Sequence, residues 1–342
     1  MQDFSDEIVL KQRRKLREMT QGFRRAQILL TCVELGVFEA LNGRPSTAAE
    51  VAKAIGADPR GVARLLNAAT ALDLLEKKAE RFRNIPLVET CLMPNVPGTM
   101  SRSIRLQAAF YHRWGRLAEA VRTGKRPEEN RRDEQPQTWI KDFVHGLYNM
   151  ARPIAPAIAE ALALAEDRPL HAIDVGGCHG AYSMALAQRY PLLRATVFEL
   201  PRVVPVAREI IAQAGFAERV KVQEGDFQQE GLGNGYDVAL VFGVLNGEPE
   251  EGRPSLIRKV FEALNPGGQI VLRDFVLDPD RAGPPEAAIF ALQMLLATEA
   301  GGLDTRDDWS EWLKSAGFEP PREIELPAWI GSTLTVANKP TL

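Results

Sequence analysis

Cysteine and histidine are scarce in this chain, its charge is nearly balanced, and long apolar runs are missing. The three cysteines, Cys32, Cys91 and Cys178, are odd in number and far apart, which excludes a disulfide framework and the paired spacing of a zinc site. A reducing compartment suits them, and a cytoplasmic location is expected. The four histidines, His112, His145, His171 and His179, show no pair at metal-ligand spacing, so no metal is expected. A net charge of −3 implies no general affinity for polyanions. No apolar stretch approaches the roughly 20 residues of a membrane span, and the opening MQDFSDEIVLKQRRKL lacks the basic-then-apolar order of a signal peptide. The expectation is a soluble chain without a membrane or nucleic-acid partner.

A length of 342 residues with 45% hydrophobic content suits two packed domains. Residues 1–100 read as helix-rich. Within them Ser46 or Thr47 can cap a helix that turns Val51, Ala54 and Ile55 inward, the turn GADP follows, and a second helix carries Val62, Leu65 and Leu66. A charged hairpin around Glu80 completes the order of a winged helix-turn-helix. The second helix carries few basic residues, and residues 1–100 hold 15 Lys+Arg against 12 Asp+Glu, so dimerisation is the better reading than DNA binding.

Residues 101–165 hold Phe110, Tyr111, Trp114, Trp139, Phe143, Leu147 and Met150 at helical spacing, interrupted by the polar stretch GKRPEENRRDEQPQ. They read as a helical connector contributing to a pocket. From 166 to 342 strands alternate with helices, with candidate strands at 170–175, 195–199, 219–223, 236–242 and 269–275, the last introduced by a turn at NPGG. REIELPAWIGSTLTVANK adds an antiparallel pair at one edge. The fold class expected is α/β: a Rossmann-like, doubly wound domain after a mainly helical one.

The most informative segment is HAIDVGGCHG at 171–180. Asp174, Gly176 and Gly180 form the D-x-G-x-x-x-G pattern of a strand that ends under a nucleoside ligand and turns tightly into a helix. The next apolar run ends in Glu199, about 20 residues on, where an acid at a second strand tip accepts ribose hydroxyls.

With VFELP at 197–201, GDF at 225–227, NPGG at 265–268, and GG(x)D…W with AGF at 301–318, the chain resembles the class I S-adenosylmethionine-dependent small-molecule O-methyltransferases that carry an N-terminal winged-helix dimerisation domain. The resemblance covers nearly the whole chain and implies S-adenosylmethionine as cofactor, S-adenosylhomocysteine as product, a small-molecule substrate and a homodimer. It implies that Asp174, Gly176, Gly177 and Gly180 shape the cradle for the methionine part. Glu199 would hold the ribose hydroxyls, Asp226 with Phe227 would flank the adenine, and Leu200 would also line the cofactor site. Read singly, Asp226 equally suits a turn cap and Phe227 plain core. It further implies apolar substrate walls from Phe143, Leu147, Met150, Phe290, Met294 and Leu295, with His145 a polar contact or a surface residue.

Three positions depart from the family. Cys178 replaces the middle glycine and fits if its φ is negative; Phe242 stands where some members have a basic residue near the cofactor. In the stretch VLNGEPEE, Asn246 replaces the histidine that commonly takes the substrate proton. Two further family acids match Asp274 and Asp304. Three explanations stay open: an acidic hydroxyl for which placement suffices, worth roughly 7–11 kcal/mol; another base, with Glu299 the candidate against a plain solvated carboxylate; or an acceptor other than oxygen, or a non-methylating reaction. The first is favoured, with an aromatic or polyketide-like substrate.

Overall fold

The computed structural model describes residues 7–94, 96, 99–127 and 135–341, and the chain divides into two compact units, Met1–Ala109 and Phe110–Leu342. Part of the polar interruption expected at 124–137 lies outside the described residues.

The first unit runs α1 (Glu7–Glu34), α2 (Val37–Ala40), β1 (Ser46–Thr47), α3 (Ala48–Ile55), α4 (Pro59–Ala71), β2 (Leu75–Lys78), β3 (Arg81–Asn84) and α5 (Pro86–Cys91), and contains most of α6 (Ser101–Trp114). Local chemistry sets its helix boundaries. Thr47 accepts from the Glu50 amide while the Glu50 carboxylate accepts from the Thr47 amide, a reciprocal cap that starts α3. Gly56, at φ 67°, ends it, and Asp58 caps α4 ahead of Pro59. The strands pair antiparallel in the order β1-β3-β2, and Val51, Val62, Leu66, Leu75 and Phe82 bury one core. On α1, Leu16, Met19 and Phe23 recur at helical spacing and are 64%, 71% and 50% exposed, an apolar stripe on the surface of the helix.

The second unit continues with α7 (Leu117–Thr123), α8 (Gln137–Ala151), α9 (Ala155–Ala161), β4 (Leu170–Val175), α10 (Ala181–Arg189), β5 (Leu193–Glu199), α11 (Val204–Gln213), β6 (Val220–Glu224), β7 (Tyr236–Phe242), α12 (Gly252–Ala263), β8 (Leu264–Arg273), α13 (Pro285–Ala297), α14 (Arg306–Ala316), β9 (Arg322–Glu325) and β10 (Thr333–Asn338). Its sheet has the order β6-β5-β4-β7-β8-β10-β9, parallel from β6 to β8, with β10 antiparallel to both neighbours. Both faces are covered: Ala172, Val197, Leu240 and Val271 pack in one core with α8 to α11, while Ile173, Phe198, Val241 and Leu272 pack in the other with α12 and α14. Helices α8 and α9, expected in a separate connector, belong to this core through Ile140, Val144, Ile158 and Leu162.

One expectation changes. NPGG does not precede the fifth strand but lies inside β8, where Tyr236 pairs Leu264 and Val238 pairs Gln269, so β8 carries extra residues in a bulge with Gly267 at φ 77°. The turn forms as its glycine requires, and pairing resumes on both sides of it. Strand order reverses between β4 and β7, and all five parallel strands end on the same side. That places Val175, Glu199, Glu224, Phe242 and Arg273 along the crevice where open α/β sheets bind ligands.

Candidate active site

The turn after β4 is built around a buried acid. Asp174 is 1% exposed and accepts 2.8 Å from the Ser183 hydroxyl, beneath a loop in which a Cβ on Gly177 would stand 2.5 Å from the Asp174 carboxyl carbon. Only glycine leaves room for that carboxyl. Burial pushes Asp174 up to about 7, against the Ser183 hydrogen bond and helped by the charge of Glu199. Gly176 and Gly180 have φ 61° and 67°, and Gly176 donates to the Phe198 carbonyl, tying the loop to the tip of β5.

Cys178 also lies in the left-handed region, at φ 51°, which overturns the expectation that it fits with a negative φ. The loop geometry demands the conformation and the residue adopts it under strain. Cys178→Gly should therefore stabilise the cofactor-free protein by about 1 kcal/mol, read as a rise of about 2–4 °C in thermal midpoint; a fall would mean that the thiol packing outweighs the backbone strain. His179 is 5% exposed, accepts from the Ala181 amide through Nδ1, and is held neutral by burial, down to about 3, so it fixes the shape of the turn.

Glu199 is 9% exposed, and backbone amides hold both its oxygens: Cys178 donates to Oε1 at 3.1 Å and Leu200 to Oε2 at 2.7 Å. A carboxylate oxygen accepts more than one hydrogen bond, so the group is fixed in place with capacity left for hydroxyl donors. The adjoining loop is equally tight, since a Cβ on Gly225 would meet the Phe198 ring at 2.3 Å. Asp226 accepts from the Gln228 amide and from the Gln229 side chain, the turn cap that its residue type suggested, while Phe227 packs partly buried against the core. Phe242 meets Tyr182 edge-on at 4.9 Å, leaving an aromatic floor at the tip of β7. The set fits a nucleoside with an amino-acid tail: glycine backbone for close approach, an anchored acid, and aromatic faces.

Beside it lies the polar cluster of Asn246, Asp274 and Asp304. Asn246, 8% exposed in the 3-10 turn Leu245–Gly247, donates 2.8 Å to Oδ1 of Asp274, which also accepts from the Phe275 amide. Oδ2 of Asp274 is buried without a hydrogen-bond partner among the described residues. Burial pushes this carboxyl up to about 6, opposed by the Asn246 side chain and neighbouring amides. Asp304 is committed elsewhere. Its Oδ1 pairs with Arg253, itself 4% exposed, and its Oδ2 accepts from the Trp309 indole at 3.5 Å. Arg253 also donates to the Glu248 carbonyl, bracing the loop that follows Asn246. Glu299 is exposed beyond the end of α13, while its neighbours Gly301 and Gly302 fold back onto the Asn246 carbonyl, with Gly302 donating at 3.0 Å.

The expected substrate walls divide. Phe143 stacks on Trp139 at 5.1 Å, Leu147 and His145 are half-buried on α8, and Met150 is 53% exposed and stands out to solvent. Phe290 packs on Phe275 at 4.4 Å, directly after Asp274; Met294 is buried and Leu295 half-buried one turn further along α13. Two residues that bear on the site escaped sequence reasoning. Arg253 lies in a charged helix with nothing to mark it as buried. Gln293 had a signal, because it is the one polar side chain between Ala287 and Ala297. Among the described residues no group of three or more His, Cys, Asp or Glu could hold a metal ion, and no helix is long and apolar enough to cross a membrane.

Residues 114–319 match the O-methyltransferase domain family, and residues 17–94 match the O-methyltransferase dimerisation domain. The chain is 31% identical over 314 residues to 3-hydroxy-5-methyl-1-naphthoate 3-O-methyltransferase of Streptomyces sahachiroi, covering 90% of each protein. It is 29% identical over 327 residues to the tetracenomycin polyketide synthesis 8-O-methyltransferase of Streptomyces glaucescens, covering 94% of this chain and 96% of that one. The crystal structure of human N-acetylserotonin methyltransferase in complex with SAM superposes with a TM-score of 0.85 at 27% identity, covering all of both chains.

Proposed function

Because this chain belongs to the S-adenosylmethionine-dependent O-methyltransferases, we propose that it methylates a hydroxyl of an aromatic or polyketide-like small molecule. The observation that carries the reading is Glu199, fixed by two amides at the tip of β5 beside the glycine turn, as a ribose anchor must be. The relatives named for a naphthoate and for tetracenomycin polyketide synthesis support the substrate class, as do the apolar Phe143, Leu147, Phe290 and Met294. The apolar stripe on α1 and the match to a dimerisation domain support a homodimer formed through the first unit. The three cysteines, none of them in a disulfide among the described residues, support a reducing, cytoplasmic setting.

When bound, S-adenosylmethionine supplies a methyl group on a positively charged sulfur. The chain's own work is placement and proton handling. Asp174 and the glycines hold the turn, Glu199 takes the ribose hydroxyls, and Asp226, Phe227 and Leu200 border the adenine side. Asn246 is no base near neutral pH, but its amide holds Oδ1 of Asp274 and leaves Oδ2 as the uncommitted basic atom. Asp274 therefore accepts the proton of the substrate hydroxyl, while orientation supplies the larger share of the rate. Asp304, through Arg253, positions the Asn246 loop. Glu299, exposed, is not assigned a part.

Calorimetric titration with S-adenosylhomocysteine tests the reading, followed by a search for acceptors that gain the mass of one methyl group. Glu199→Ala should weaken S-adenosylhomocysteine by about 1–3 kcal/mol, the loss of a charge-assisted hydrogen bond; equal affinity would remove Glu199 from the cofactor site.

A further inference from the structure

Gln293 is 7% exposed in the middle of an otherwise apolar stretch of α13. Its amide orientation is settled by chemistry. The Trp114 indole donates to Oε1 at 2.6 Å, and an indole N–H can only donate, so the oxygen must face Trp114 and the NH2 must face away. That NH2 is buried and has no hydrogen-bond partner among the described residues. A buried donor without an acceptor is destabilising, so such a group in a folded protein calls for a reason.

The course of α13 gives one. Near its start Phe290 packs on Phe275, which follows Asp274, and just past its end Gly302 donates to the carbonyl of Asn246. Gln293 lies between these two contacts, one turn from Phe290 and beside the buried Met294. The helix thus spans the Asn246 and Asp274 cluster with one uncommitted donor along it.

We propose that Gln293 is a specificity-determining residue that donates through Nε2 to a carbonyl or comparable acceptor oxygen of the substrate, away from the hydroxyl that is methylated. The site then selects hydroxyaryl ketones and quinones over plain phenols. A substrate offering only a C–H there leaves the donor unpaired. Trp114 acts as the positioning residue, because without it the amide can turn over. This rests on the methyltransferase reading and adds the polarity of the acceptor molecule to it.

The test is equilibrium binding of 1-naphthol, 2-naphthol and the set of acetylnaphthol isomers to the dimer saturated with S-adenosylhomocysteine. At least one acetylnaphthol should bind about 10-fold or more tighter than its parent naphthol. Gln293→Leu should erase that advantage while leaving naphthol and S-adenosylhomocysteine affinities unchanged. Gln293→Met keeps the length of the side chain and carries no N–H or O–H donor, so it should erase the advantage too, and it decides the matter if the Leu variant does not fold. No preference for any acetylnaphthol, or a preference that survives in the folded variants, overturns the proposal. Failure of S-adenosylhomocysteine to bind would instead overturn the methyltransferase reading, so the two failures are distinguishable.

Discussion

Asp274→Asn lowers kcat for a weakly acidic aromatic hydroxyl by about 10²–10⁴-fold, the usual contribution of a positioned general base, and leaves S-adenosylhomocysteine affinity unchanged. The expectation follows from the uneven commitment of its two oxygens: Oδ1 is occupied by Asn246 and Phe275, and Oδ2 faces no donor. Asn at 274 cannot accept the proton, although it preserves size. Two readouts separate this from a structural role. In the wild-type protein kcat should rise with pH through about 6, because burial raises this acid and only its ionised form accepts a proton; in Asp274→Asn that limb should vanish. The loss should also shrink for phenols acidic enough to arrive ionised, where only placement remains to be done. Equal losses across substrate acidity, with the low-pH limb intact, would reduce Asp274 to an anchor for Asn246.

Arg253→Met should destabilise the protein by about 3–5 kcal/mol, because it leaves the Asp304 carboxylate buried without its counter-ion. Differential scanning calorimetry should show the thermal midpoint falling by roughly 6–20 °C for a unit of this size. The double variant Arg253→Met with Asp304→Leu should recover most of that loss, since a buried ion pair and an apolar pair of similar volume are often equivalent in stability. The pair's value here is positional. Arg253 reaches the Glu248 carbonyl as well as Asp304, and so ties the loop after Asn246 to the start of α14. A single variant as stable as the wild-type protein would show that the two charges are not desolvated together.

The amino-acid sequence by itself determined the elements and their order. Capping residues at Thr47 and Asp58, the alternation of strands and helices after 166, and glycines at 176, 177 and 180 act over a few residues, so their consequences are legible locally. Glu199 was legible for the same reason, because an acid at a strand tip about 20 residues after a glycine turn has a fixed place in a parallel sheet. The tertiary structure alone decided everything that depends on contacts distant in sequence. It set the sign of φ at Cys178, closed the bulge at NPGG within β8, and separated Asp274 from Asp304 in role. The two acids look alike in sequence; only packing brings Arg253 to one and leaves an oxygen of the other uncommitted. Likewise the amide of Gln293 acquires a direction only when Trp114, 179 positions away, meets its oxygen. Burial and hydrogen-bond commitment are properties of the assembled fold, and for this protein they decide which polar groups remain free to meet a substrate.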